Sequence, residues 1–162
     1  MDQQMILRDE VRPGDGEIVF RLCQSSGFFS PAEVEVAVEM VEERLAKGGR
    51  SGYHFLFAEE EGSVLGYACY GPIPFTESSW DLYWLVVDDR NRGQGVGRKL
   101  QAEAEKRMGL GGGRQVYIYT SSRDQYLPTR RFHERRGYCP EATLRDYYSP
   151  GEHLIIFVKR LS

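Results

Sequence analysis

Cysteine is scarce in this 162-residue chain: Cys23, Cys69 and Cys139 are its only three. They are odd in number, far apart and without metal-ligand spacing, which argues against a disulfide framework and a structural zinc. Reduced packing thiols and no metal are expected. Long apolar runs are also missing. Hydrophobic residues make up 41% of the chain, but no run approaches the ~20 residues of a membrane helix, so no membrane partner is expected. Met1, Asp2, Gln3 and Gln4 show no basic leader running into an apolar stretch. A cytoplasmic location is therefore the expectation. Repeats and low-complexity segments are absent, and no linker divides the sequence, so residues 1–162 are expected to form one domain.

Excess positive charge is lacking too. The net charge of -3 gives a nucleic-acid partner no support. Its distribution is uneven, however. Residues 88–99 hold Arg90, Arg92, Arg98 and Lys99 against two aspartates, and residues 129–136 hold four arginines against Glu134. Two short basic segments on an acidic chain suit a compact anion better than a long polyanion, although solvated helix faces look the same by charge alone.

The hydrophobic pattern predicts a mixed α/β fold. Met5 to Val11 alternates as an edge or starting strand, and Ile18 to Leu22 resembles a short helix. Ser30-Pro31-Ala32-Glu33 is a capping box with proline at the first helical position. Phe29 and Val34 are placed for a hydrophobic staple, and Gly48-Gly49 ends the helix. Strands follow at 53–58 and 64–70, with Glu59 to Ser63 between them as a hairpin turn. Trp80 to Val87 is almost wholly apolar, as a central strand would be. A helix with Val96, Leu100, Ala104 and Met108 on one face comes next, then a strand at 116–120, a short arginine-rich helix ending at Gly137, and a strand at 154–158.

The most informative stretch runs from Val86 through Arg92-Gly93-Gln94-Gly95-Val96-Gly97-Arg98. An apolar strand passes into a glycine loop in which a helix begins. Glycines let the backbone approach a ligand closely, and the unpaired N–H groups of a helix's first turn favour an anion. With Arg92, Arg98 and Lys99 nearby, the pattern is that of a pyrophosphate cradle. It lacks the Gly-Lys-Ser/Thr of a Walker loop and the G-x-G-x-x-G of a dinucleotide fold.

Arg92 to Gly97 resembles the R/Q-x-x-G-x-G/A motif of the GNAT N-acetyltransferases. Phe132-His133-Glu134-Arg135-Arg136-Gly137-Tyr138 is similar to that family's F-Y-E-K-x-G-F block, in the same order. The resemblance spans about Met5 to Val158. It implies a GNAT fold, with a mostly antiparallel mixed sheet of six or seven strands and about four helices. It implies acetyl-CoA as donor and direct transfer to a primary amine in a ternary complex. A small molecule or amino acid is the preferred acceptor, with a protein or peptide amine as the alternative. A non-catalytic acyl-CoA sensor and a nucleoside-triphosphate binder are the rivals from other classes, and a homodimer is compatible with all of these readings.

By that resemblance Leu85, Val86 and Val87 would offer backbone groups to the pantetheine arm and the thioester. The 92–98 loop would hold the pyrophosphate, and Arg131 would reach a phosphate. Asp81 stands where some histone acetyltransferases carry a catalytic glutamate and is the candidate base. The family's Tyr, which protonates the departing thiolate, is replaced by His133. Either His133 keeps that role, or it only lines the CoA channel and Tyr126 or water protonates the thiolate. Phe28, Phe29, Tyr70 and Trp80, with Phe75, Tyr147 and Tyr148, are the aromatic candidates for the acceptor site.

Overall fold

A computed structural model describes residues 4–162. Met1, Asp2 and Gln3, part of the stretch read for a leader, lie outside them. Seven strands form one sheet in the order β1-β2-β3-β4-β5-β7-β6. They are β1 (Ile6–Arg8), β2 (His54–Glu60), β3 (Ser63–Pro72), β4 (Ser79–Val87), β5 (Gln115–Ser121), β6 (Cys139–Ser149) and β7 (Glu152–Arg160). The helices are α1 (Asp15–Ser26), α2 (Pro31–Lys47), α3 (Val96–Leu110) and α4 (Leu127–Arg135). Every strand pair is antiparallel except β4 with β5. The expected mixed sheet is therefore observed, with β4 at its centre.

Strand alternation sorts the core into two layers. Phe55, Phe57, Tyr67, Cys69 and Val86 point to one face and pack with Val19, Leu22, Val34, Ala37 and Val41 of α1 and α2. Leu56, Ala58, Ala68, Tyr70 and Leu82 point to the other, against Val96, Leu100, Ala104 and Met108 of α3. The capping box at Ser30 forms as expected: Ser30 accepts from the Glu33 N–H at 3.2 Å, and Glu33 accepts from the Ser30 N–H at 3.0 Å. Phe29 and Val34 join the same cluster.

Three expectations change. The first helix is longer than Ile18 to Leu22 and runs from Asp15, because Arg8 reaches from β1 to Asp15 at 2.8 Å and fixes the start of α1. The β2–β3 turn is tighter than Glu59 to Ser63. Glu61 and Gly62 alone separate the strands, both with positive φ (51° and 79°), the backbone of a two-residue hairpin turn. Finally, β6 was not foreseen. All eleven of its residues are exposed, so neither face carries the hydrophobic alternation that marks a strand.

Candidate active site

β4 leads into the glycine loop. Asp88 closes the strand: its N–H donates to the Leu65 carbonyl at 2.7 Å, and its carboxylate accepts from the Arg90 N–H at 3.0 Å. Gly93 and Gly95 both take φ of 80°, a left-handed conformation that side-chain-bearing residues adopt at a cost. Gly95 is the N-cap of α3 and gives it no side-chain cap; no acidic residue occupies the first turn. The contrast with α2, which carries a complete capping box, is informative. Without a side-chain acceptor, the first N–H groups of α3 and the positive end of its dipole face outward beside Arg92 and Arg98. A Cβ at Gly97 would lie 3.4 Å from Val87 and 3.5 Å from Phe132 of α4, ordinary contact distances.

The strand before the loop is shaped for an extended chain. β4 and β5 pair only from Ser79↔Gln115 to Asp81↔Tyr117, yet β4 continues to Val87 and β5 to Ser121. Beyond Asp81 the two strands part and leave a notch whose mouth is the glycine loop. β4 also bulges on its other edge. Cys69 pairs with Trp84 and Tyr70 with Leu82, leaving Tyr83 without an opposite residue. Backbone N–H and C=O groups of Leu85, Val86 and Val87 that would have bonded β5 therefore border the notch.

Phe28, Arg92 and Tyr126 come together across the notch mouth. The Arg92 guanidinium lies 5.0 Å from the Phe28 ring centroid, and the Tyr126 ring lies 5.8 Å from it. The Tyr126 hydroxyl donates to the Phe28 carbonyl at 2.8 Å, so its proton is already engaged. Phe29 packs edge-on against Trp84 at 5.0 Å. Arg92 also pairs with Asp89 at 3.1 Å.

His133 does not face solvent. It is buried between α3 and Tyr138, with its Nδ1 3.2 Å from the Gln101 amide nitrogen. Burial lowers its pKa to about 4, so the ring is neutral near pH 7. From α4 it is Phe132 whose ring faces Gly97. Arg98 and Arg136 border a cavity of about 240 Å³ along α3, together with Gln101, Glu105 and Lys159. Arg131, by contrast, is exposed on α4 and does not line it.

Tyr70 and Trp80 do not join Phe28 and Phe29. Tyr70 packs in the α3-side core and borders a cavity with Arg107, while Trp80 lies against Gly111 and Gly113 beyond the end of α3. At 1.5 Å per residue α3 is about 22 Å long, and these residues sit at the end opposite the glycine loop. Strand direction explains the separation, because β4 begins at that far end. Phe75 is in the same region, fully exposed in the β3–β4 turn. Tyr147 and Tyr148 are exposed on β6. Cys69 is buried and its thiol pKa is pushed well above the ordinary value, so it is no nucleophile.

Asp81 is buried at the inner end of the notch. Burial raises its pKa, and the hydroxyls of Tyr119 and Tyr83 pull it back part of the way. Its Oδ1 is buried and has no hydrogen-bond partner. Tyr83 and Tyr119 were missed in the sequence. Each lies two residues along its strand from a member of the Asp81↔Tyr117 pair, so strand alternation alone places them beside Asp81.

Comparison with known proteins completes the assignment. The sequence pattern of the acetyltransferase (GNAT) family matches residues 22–138. The chain belongs to the GNAT family. GNAT acetyltransferases are N-acyltransferases, and this chain is one by that membership. A crystal structure from Desulfovibrio desulfuricans, assigned to the GNAT family as an acetyltransferase, is 43% identical with a TM-score of 0.97, covering 98% of this chain and 100% of its own. An aminoglycoside 6'-N-acetyltransferase complexed with coenzyme A shares the GNAT fold at 19% identity and a TM-score of 0.76, over 96% of both chains. The ribosomal-protein-S18-alanine N-acetyltransferase of Escherichia coli does so at 16% identity and 0.75, over 98% of this chain and 95% of its own. No curated protein matches the sequence. Among the described residues, no cluster of His, Cys, Asp or Glu is arranged to hold a metal ion, and no helix is long and apolar enough to cross a membrane.

Proposed function

We propose that this GNAT protein transfers the acetyl group of acetyl-CoA to the primary amine of a small molecule, by direct attack in a ternary complex. The observation that carries the donor half is the start of α3: a helix with a glycine N-cap, no acid in its first turn, and arginines on either side, at the mouth of a notch. The pyrophosphate fits those N–H groups, with Gly93, Gln94, Gly95, Val96 and Gly97 forming the cradle. The pantetheine arm fits the notch against Leu85, Val86 and Val87. Arg98 and Arg136, on the cavity beside α3, suit the 3′-phosphate better than the exposed Arg131.

In the transfer, the amine nitrogen bonds to the thioester carbonyl carbon and the C–S bond breaks. A β4 backbone N–H stabilises the oxyanion, an effect worth about 3 kcal/mol in preorganised sites. Asp81 takes a proton from the incoming ammonium, for which its burial and raised pKa suit it. As the tetrahedral intermediate collapses, the nitrogen's second proton leaves to water and water returns a proton to the departing thiolate, since the Tyr126 proton is held by the Phe28 carbonyl and His133 is buried. His133 then serves as a neutral support beneath the channel.

Calorimetric titration tests the donor half. CoA should bind more tightly than ATP–Mg, and 3′-dephospho-CoA should bind about tenfold more weakly than CoA. Equal binding of ATP–Mg would favour the nucleotide reading instead. Tight CoA binding with no amine-dependent thiol release would favour an acyl-CoA sensor.

A further inference from the structure

The sheet face that carries Asp81 is only half covered. The α1–α2 cluster takes in residues of β2, β3 and β4 but none of β5, β6 or β7. Val116 and Ile118 of β5 point into the α3-side core, so Tyr117 and Tyr119 point to the open face. Asp81 and Tyr83 of β4 share that face. Tyr53 packs edge-on against Tyr83 with ring centroids 5.6 Å apart, and Tyr119 is 47% exposed.

Two features of this cluster lack a structural explanation. A carboxylate 9% exposed retains a buried oxygen with no partner, a costly state for a polar atom. Tyr117 is the register partner of Asp81, Tyr53 packs on Tyr83, and the groups acting on Asp81 are Tyr119 and Tyr83, with no cation among them. A carboxylate beside aromatic faces is the chemistry that holds an ammonium ion, through one charge-assisted hydrogen bond and cation–π attraction. The position fits as well. The notch starts where Asp81 pairs with Tyr117, so the inner end of a chain lying in the notch comes nearest to this cluster.

We propose that Asp81 Oδ1, walled by Tyr53, Tyr83, Tyr117 and Tyr119, is the seat for the acceptor's ammonium group, and that the acceptor is a cationic amine with no carboxylate next to the reacting nitrogen. An α-amino acid brings its own carboxylate against Asp81, with no cation among the groups acting on Asp81 to offset it. This rests on the reading of the chain as an amine acetyltransferase, and narrows it. Asp81 touches the substrate, whereas Tyr83 and Tyr119 act through Asp81 as positioning residues.

The test is CoA-thiol release from acetyl-CoA with matched acceptors: 2-phenylethylamine, phenylalanine amide and phenylalanine. The two acceptors lacking a carboxylate should exceed phenylalanine at least tenfold in kcat/KM. In Tyr119→Phe and Tyr83→Phe the amine KM should rise severalfold, with CoA affinity within about twofold of the parent. Equal use of phenylalanine overturns the proposal while leaving acetyl transfer intact. So does a tyrosine variant that loses CoA affinity along with amine affinity, since that marks a purely structural role. If CoA binds but none of the three amines raises thiol release above hydrolysis, acetyl transfer itself fails and this inference falls with it.

Discussion

Asp81 releases its proton at higher pH than an exposed aspartate, because burial disfavours the charged form. A base must be ionised to act, so kcat/KM should fall as pH drops through a value above the ordinary 3.9 or so of aspartate. Tyr119→Phe removes a hydroxyl that stabilises the carboxylate and should move this acid limb to still higher pH. Asp81→Asn should lower kcat about 100-fold or more while CoA affinity stays within twofold; equal losses in both would refute a proton-transfer role. His133 behaves differently. Its folded pKa of about 4 lies below the unfolded 6.5, so the unfolded chain binds the extra proton between those values. The stability it confers is fully present above about pH 6.5 and is lost as pH falls towards 4, by up to about 3 kcal/mol. Urea melts of the parent and His133→Phe at pH 5 and 7.5 should show less acid sensitivity in the variant. Its rate profile between pH 6 and 9 should match the parent's in shape, because the imidazole does not titrate there.

The glycine loop shows at the level of elements how far the sequence could be read. Gly95 needs its left-handed backbone, whereas Gly97 needs only space and has contacts of 3.4 Å or more. Gly95→Ala should therefore weaken CoA binding at least tenfold in calorimetry, and Gly97→Ala should be mild. Gly66 of β3 is tighter still: a Cβ there would lie 2.7 Å from the Val86 carbonyl oxygen. Gly66→Ala should push β3 from β4 just below the loop and lower the melting temperature. The glycine loop with the helix start it contains, the capping box and β4 were all legible, since each rests on local residue chemistry or a run of apolar residues. β6 was not, because Pro140, Glu141, Arg145 and Asp146 interrupt a strand exposed on both faces. The acceptor aromatics were not legible either. Phe28 and Trp80 both look like cleft aromatics in sequence, but only strand direction reveals that they lie at opposite ends of α3.

Over the whole molecule, one sheet carries two unlike faces. One face is covered by α3, whose first turn is the proposed seat of the donor's phosphates; the other is covered by α1 and α2 for only half its width and leaves the Asp81 cluster open. Donor and acceptor would thus approach the inner end of the notch from different directions, as direct transfer requires. A buried ion pair ties β1, α1 and β2 together: Arg8 bonds Asp15 of α1 at 2.8 Å and Glu59 of β2 at 2.6 Å. Asp15→Ala would leave Arg8 short of its main partner and should cost about 3–5 kcal/mol in chemical denaturation. The most direct test of acetyl transfer is a single reaction. Acetyl-CoA and 2-phenylethylamine are mixed with the protein, and thiol release and the mass of the amine are followed together. One acetylated amine should form for each thiol released, and Asp81→Asn should slow both equally. Thiol release without acetylated amine, or neither in the presence of tight CoA binding, would contradict the account.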